Sequence, residues 1–399
     1  MVSQLRQAVI LAGGKGERLK PITDAIPKPM IQFHGKPFLE YLINQLRTQG
    51  IEEVILLVGY MAHKIKDYFG DGTSHGVAIK YSYDPVEYET GARLLHAKDL
   101  LNSEFLLLYC DNYCPINLEI MVSQYERSQC KSLITVYNND DMFTKSNVMV
   151  DASGYVQLYD PSREMSNLNG VEIGYSITKR EIIEQIPNTN VRFEHYMYPL
   201  LAAEGSLFAY QTGHRYYSIG SHDRLQNTET FLKPQKAIIL DRDGVLNMKA
   251  PPAQYVQSWN EFQWIPGALD ALHALTKSGY KIIVVTNQPG IARGHMTRSD
   301  LDYIHSQMIN QANDHGANIN HIYYCPHGWN DGCVCRKPQP GMLFEAQRDY
   351  HLNLSTTLFI GDDSRDEQAG IAAGCQFQFV TETTKLIDIT NSLMLKGVD

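Results

Sequence analysis

The sequence predicts an α/β protein built from two Rossmann-like parallel-sheet domains in tandem, one over residues 1–233 and one over residues 234–399. Three observations carry this. In both halves short apolar runs alternate with stretches of helical periodicity, the pattern of a parallel sheet wrapped by helices. Several runs stop at glycine, aspartate or threonine, at the strand end where open sheets place their chemistry. A short proline-containing segment, Phe231-Leu-Lys-Pro234-Gln, separates the two patterns.

The chain has 399 residues, long enough for two cores. A hydrophobic share of 43% with 20% charged residues is a globular composition. The net charge is −9 and neither half is basic, which argues against nucleic acid as a partner. No apolar run is long enough to cross a membrane, and the opening Met-Val-Ser-Gln-Leu-Arg lacks a signal-peptide core, so a cytoplasmic protein is expected. Of seven cysteines, Cys325, Cys333 and Cys335 lie close together at metal-site spacing. Cys110, Cys114, Cys130 and Cys375 are scattered and read as ordinary thiols.

In the first half, residues 7–12 read as a buried strand running into Gly13-Gly14-Lys15-Gly16-Glu17-Arg18 and then Pro27-Lys28-Pro29-Met30. Glycines just past a strand let backbone N–H groups approach phosphates closely. Arg18 and Lys28 can neutralise triphosphate charge. Residues 38–49 have helical periodicity and stop at Gly50. Residues 54–59 and 79–83 read as strands, 91–101 as a helix, and 105–111 as a strand ending in Asp111. Residues 132–137, 147–150 and 171–177 read as further strands.

The glycine loop with Lys28 resembles the signature of sugar-phosphate nucleotidylyltransferases. The resemblance implies the nucleotide-diphospho-sugar transferase fold, with Leu11, Ala12, Gly13, Gly14, Gly16 and Gly91 around the nucleotide and Arg18 and Lys28 as catalytic cations. It also implies Mg²⁺ on Asp111, and Glu172 on the sugar hydroxyls. Two positions depart from the family pattern. Pro161 stands where the family has a phosphate-clamping lysine, with Arg163 nearby, and Ser218 stands where it has a second metal-binding aspartate, with Asp223 five residues on.

The second half opens on Lys236-Ala-Ile-Ile-Leu-Asp241-Arg-Asp243-Gly244. In an extended segment residues i and i+2 point the same way, so both carboxylates can face one site. One can attack phosphorus while the other gives and takes a proton. Residues 267–278 read as a helix, 281–288 as a strand ending at Thr286-Asn287-Gln288, and 297–313 as a helix capped by Thr297 or Ser299. Cys325-x-His327 and Cys333-x-Cys335 offer four ligands in one loop, a closed tetrahedral set for structural Zn²⁺. Residues 358–361, read as the last strand, end at Asp362.

Asp241 with Asp243, then Thr286, then Lys337, then Asp362 resemble in order the four motifs of the haloacid dehalogenase-like phosphatases. The resemblance implies Asp241 as nucleophile, Asp243 as acid and base, Thr286 and Lys337 on the phosphoryl group, and Mg²⁺ held by Asp241, the backbone of Asp243, and Asp362. Asn287, Arg293 and Arg336 would meet substrate. Short spacings between motifs imply a cap-less form of the fold. Together with the zinc loop they narrow the resemblance to the D-glycero-D-manno-heptose 1,7-bisphosphate and histidinol phosphate phosphatases.

The two resemblances imply a bifunctional enzyme of nucleotide-activated heptose synthesis. It would dephosphorylate the 1,7-bisphosphate, then join the 1-phosphate to a nucleotide from a triphosphate, with GTP favoured. Two alternatives stand beside it: a phosphatase fused to a non-catalytic nucleotide- or sugar-binding module, and a histidinol-phosphate phosphatase. The expected partners are small sugar phosphates and a nucleoside triphosphate, with no nucleic acid and no membrane.

Overall fold

A computed structural model describes residues 5–251 and 254–396. The chain divides after Lys233 into two compact units. The principal strands of the first are β1 (Gln7–Ala12), β2 (Glu53–Val58), β3 (Ala78–Tyr83), β4 (Glu104–Tyr109), β5 (Ser132–Tyr137), β6 (Val171–Lys179) and β7 (Leu207–Thr212). They form one sheet in the order β7-β5-β6-β4-β1-β2-β3. β1 pairs in parallel with both β2 and β4. All six residues of β1 are buried, as a strand covered on both faces requires.

The strands around β1 are parallel, as the sequence predicts, and the sheet is mixed because β6 runs antiparallel to β4 and β5. Apolar periodicity marks a strand but carries no direction, so this reversal left no sequence trace. The helix expected over 91–101 ends at His96 and continues as a short 3-10 turn, Lys98–Leu100. The helix Phe38–Thr48 buries Phe38, Leu39, Leu42, Ile43 and Leu46 on one face. Gly50, at φ 87°, lets the chain turn away after it.

The second unit is a five-stranded parallel sheet of β8 (Lys236–Leu240), β9 (Tyr280–Asn287), β10 (Ile319–Cys325), β11 (Leu358–Gly361) and β12 (Gln376–Phe379), in the order β10-β9-β8-β11-β12. β11 is therefore not the last strand. Its successor Gln-Phe-Gln-Phe is a partly exposed edge strand whose burial pattern lacks a continuous apolar run. Thr297 caps the helix Arg298–Asp314 through a reciprocal box with Asp300.

Both sheets reverse their order of strand addition beside their first strand. In the first unit the break lies between β1 and β4, in the second between β8 and β11. Each break leaves a crevice at the carboxyl ends of two neighbouring strands. The glycine loop and Asp111 follow β1 and β4; Asp241 and Asp362 follow β8 and β11.

Two candidate active sites

In the second unit, Asp241, Arg242, Asp243, Thr286, Asn287, Arg293, Arg336, Lys337 and Asp366 line a single cleft. Lys337 Nζ is buried and donates to Val285 O at 3.0 Å, and it lies 2.8 Å from Asp241 Oδ1 and 2.6 Å from Asp366 Oδ1. Burial pushes the Asp241 carboxyl up to about 7, against the pull of Lys337. Asp243 is half-buried, and Arg242, Asn247 and Gln288 hold its carboxyl below the ordinary value. Arg242 Nη2 donates to both Asp243 oxygens at 3.0 and 2.9 Å, Asn247 Nδ2 at 2.9 Å and Gln288 Nε2 at 2.8 Å. Gln288 also donates to Thr286 Oγ1 at 2.9 Å.

Asp241, Asp362 and Asp366 each offer an oxygen, all within 4.8 Å of one another. Asp362 Oδ1 is buried with no hydrogen-bond partner among the described residues. An orphaned carboxylate oxygen beside two others suits a hard dication, which takes oxygen ligands. The Asp243 side chain, committed to Arg242, Asn247 and Gln288, is not one of the three. Gly244 keeps the approach open: at φ 96°, a Cβ there would lie 2.2 Å from Asp362 Oδ2. Asp366 was not singled out in the sequence, although its spacing of four from Asp362 at a helix start was the available signal. Asn287 is occupied by the Lys337 backbone, accepting from its N and donating to its O, both at 3.0 Å. Its amide fastens Lys337, and Asn287 remains part of the cleft lining.

Cys325, His327, Cys333 and Cys335 converge in one loop. Cys325 Sγ lies 3.7 Å from Cys333 Sγ and 3.3 Å from Cys335 Sγ, and His327 Nδ1 lies 3.2 Å from Cys335 Sγ. Metal–sulfur bonds of about 2.3 Å in a tetrahedron put neighbouring sulfurs about 3.7 Å apart, so the spacing fits one such ion. Arg336 directly follows Cys335; its Nη1 donates to His327 O at 3.1 Å and its guanidinium lies 4.4 Å from the Trp329 ring centre.

In the first unit, Leu11, Gly13, Gly14, Gly16, Arg18, Lys28 and Asp111 line a second cleft, with Tyr88, Glu89 and Thr90 among its other residues. Lys28 Nζ lies 2.5 Å from Asp111 Oδ2. Gly14 has nothing within 4 Å of where a Cβ would stand, which leaves room for a ligand. Ala12 and Gly91 do not line this cleft. Gly91 instead packs on Val191, where a Cβ would lie 2.7 Å from the carbonyl oxygen. Glu172 also lies outside the lining; it is half-buried, accepts from Gly174 N at 2.5 Å, and its carboxyl is pushed up to about 8 by burial. Arg163 donates to Lys145 O at 2.9 Å, away from the cleft. Ser218 pairs with Asn112, beside Asp111, and its Oγ accepts from Gly220 N at 3.0 Å. Asp223 is exposed in the first turn of the helix His222–Leu232.

Comparison with known proteins defines the class first. The nucleotidyl transferase family model matches residues 7–148, and the HAD-hydrolase-like model matches residues 334–387. The protein is a phosphatase of the haloacid dehalogenase-like class joined to a nucleotidyl transferase domain. The D-glycero-beta-D-manno-heptose-1,7-bisphosphate 7-phosphatase of Pseudomonas putida is 41% identical over 141 residues, 35% of this chain and 79% of that protein. The protein of the same name from Escherichia coli K12 is 36% identical over 162 residues, 39% of this chain and 83% of that one. The chain belongs to the heptose-1,7-bisphosphate 7-phosphatase family. The crystal structure of HddC from Yersinia pseudotuberculosis, 25% identical, covers 57% of this chain and 100% of its own, with a TM-score of 0.51. Its complex with GMP-PN is 26% identical with a TM-score of 0.50.

Proposed function

We propose that the chain performs two consecutive steps on one sugar. Residues 234–399 remove one phosphate from D-glycero-D-manno-heptose 1,7-bisphosphate, and residues 1–233 join the resulting 1-phosphate to a nucleotide from a triphosphate. The observation that carries the first step is the Lys337 ammonium set between Asp241 and Asp366 beside the orphaned oxygen of Asp362. The family match supports the substrate, and the HddC complex with GMP-PN supports a guanine nucleotide in the first unit.

In this reading an Asp241 oxygen attacks phosphorus and the bond to the sugar oxygen breaks, leaving an aspartyl-phosphate. Asp243 gives its proton to the departing oxygen, then takes one from the water that releases orthophosphate. In the free site Asp241 is pushed up and Asp243 held down, the reverse of what nucleophile and acid need. Mg²⁺ held by Asp241, Asp362 and Asp366 would supply the charge that ionises Asp241. A phosphate dianion beside Asp243 raises its proton affinity. Thr286 and Lys337 offset phosphoryl charge, Arg293 and Arg336 face the rest of the substrate, and Zn²⁺ on the four-ligand loop would fix Arg336 and Lys337 in place.

In the first unit the sugar phosphate would attack the α-phosphorus in line and release pyrophosphate, with Arg18 and Lys28 as cationic supports and Asp111 the residue to hold Mg²⁺. A second reading, a nucleotide-binding module without turnover, is favoured by one observation. Asp111 is the one aspartate of the cleft lining among the described residues, with Ser218 at the neighbouring position. The chain is to be incubated with heptose 1,7-bisphosphate and each nucleoside triphosphate in turn, with orthophosphate and pyrophosphate measured separately. Orthophosphate release with pyrophosphate following supports both steps. No orthophosphate overturns the phosphatase assignment, and no pyrophosphate with any triphosphate leaves the module.

A further inference from the structure

We propose that Arg93 is a positioning residue of the nucleotide cleft, setting the gap between two of its lining segments before any nucleotide arrives. The inference rests on reading the first unit as a nucleotide binder. Arg93 lies on the helix Thr90–His96 and is 3% exposed. Its Nε donates to Tyr88 O at 2.9 Å and its Nη1 to Val58 O at 3.2 Å. Its Nη2 faces Pro85 O at 2.8 Å, Val86 O at 3.2 Å and Gly13 O at 3.4 Å. Gly13 begins the glycine loop, Val86 and Tyr88 belong to a separate segment of the chain, and all three line the cleft.

One planar fork therefore ties the two segments together through main-chain oxygens, the geometry a guanidinium offers and an ammonium does not. Its N–H groups are turned to carbonyls, so Arg93 acts on a nucleotide through the loops and does not itself grip a phosphate. Asp84, whose side chain is fully buried, lies 3.8 Å behind Nη1, and His96 Nδ1 closes on the other Asp84 oxygen. Two glycines make the space. A Cβ on Gly13 would lie 2.2 Å from Nη1, and one on Gly59 would lie 2.9 Å from it. The glycine loop thus divides its labour: Gly14 leaves room for ligand, while Gly13 leaves room for Arg93.

The test is titration calorimetry of the intact chain with GTP, ATP, CTP, UTP and dTTP, repeated on Arg93→Lys and Arg93→Ala. The triphosphate bound most tightly by the unchanged chain should bind at least tenfold more weakly to Arg93→Lys, with orthophosphate release kept within twofold. Methylguanidinium added to Arg93→Ala should restore nucleotide affinity by refilling the vacated space. Affinity unchanged within twofold in both variants overturns the inference alone. So does a loss that methylguanidinium fails to restore and that tracks a collapsed melting transition, since that marks a general packing role. An unchanged chain that binds none of the five overturns the nucleotide reading and the inference with it.

Discussion

Asp241 and Asp243 are separated by one residue and placed in opposite surroundings. Asp241 meets Lys337 and two further carboxylates, while Asp243 is gripped by Arg242, Asn247 and Gln288. Asp241→Asn should lower orthophosphate release about 1000-fold or more by removing the attacking oxygen. With heptose 1-phosphate supplied directly, a pyrophosphate assay on that variant should read within twofold of the unchanged chain. Glu172 gives a stability test with a defined sign. Its folded carboxyl is pushed up to about 8 from an ordinary 4.5, so the stability it confers is complete below about 4.5 and is lost as pH rises through about 8. Melting curves of Glu172→Gln should accordingly gain on the unchanged chain between pH 5 and pH 8.5; a constant difference refutes the shift. Asp241, Lys337 and Asp362 stand out in sequence because each ends a strand or follows a marked motif. Asp366, Gln288 and Arg242 did not, because their part depends on where side chains point, and spacing alone does not carry that.

At the scale of elements, the four-ligand loop and the turn after β8 matter most. Cys333→Ser removes one of four ligands, and Arg336 and Lys337 continue directly from Cys335. Elemental analysis should find one metal per unchanged chain and none on this loop in the variant, with orthophosphate release falling at least about tenfold, because the supports of a metal site commonly cost that much. Gly244→Ala places a methyl against Asp362 at a backbone angle that side chains avoid. Denaturant unfolding should show a loss of about 1–3 kcal/mol, more if Asp362 is displaced. The turn was legible as Asp-x-Asp-Gly, and the loop as its cysteine spacing. The antiparallel course of β6 and the edge strand β12 were not, since strand direction and sheet order are settled by long-range pairing.

Across the whole molecule, both units use the same plan: a parallel core, a reversal of strand order, and polar groups at the resulting crevice. This much was legible, because strand–helix alternation and polar residues at strand ends are local signals. Two sites on two separate sheets predict separable defects. Lys28→Met should abolish pyrophosphate release while sparing orthophosphate release. With the bisphosphate and a triphosphate together, the unchanged chain should yield the two products in a one-to-one ratio, with pyrophosphate appearing after a lag. Pyrophosphate without a lag would mean that the bisphosphate itself is accepted by the first unit.

The three acceptors around Lys337 have a last consequence. An ammonium owns three protons, and Val285 O, Asp241 and Asp366 account for all of them. Its valence is full before substrate enters. In the proposed reaction it would therefore help an incoming phosphoryl group as a fixed point of charge, acting across a gap, unless one of those three bonds is first given up.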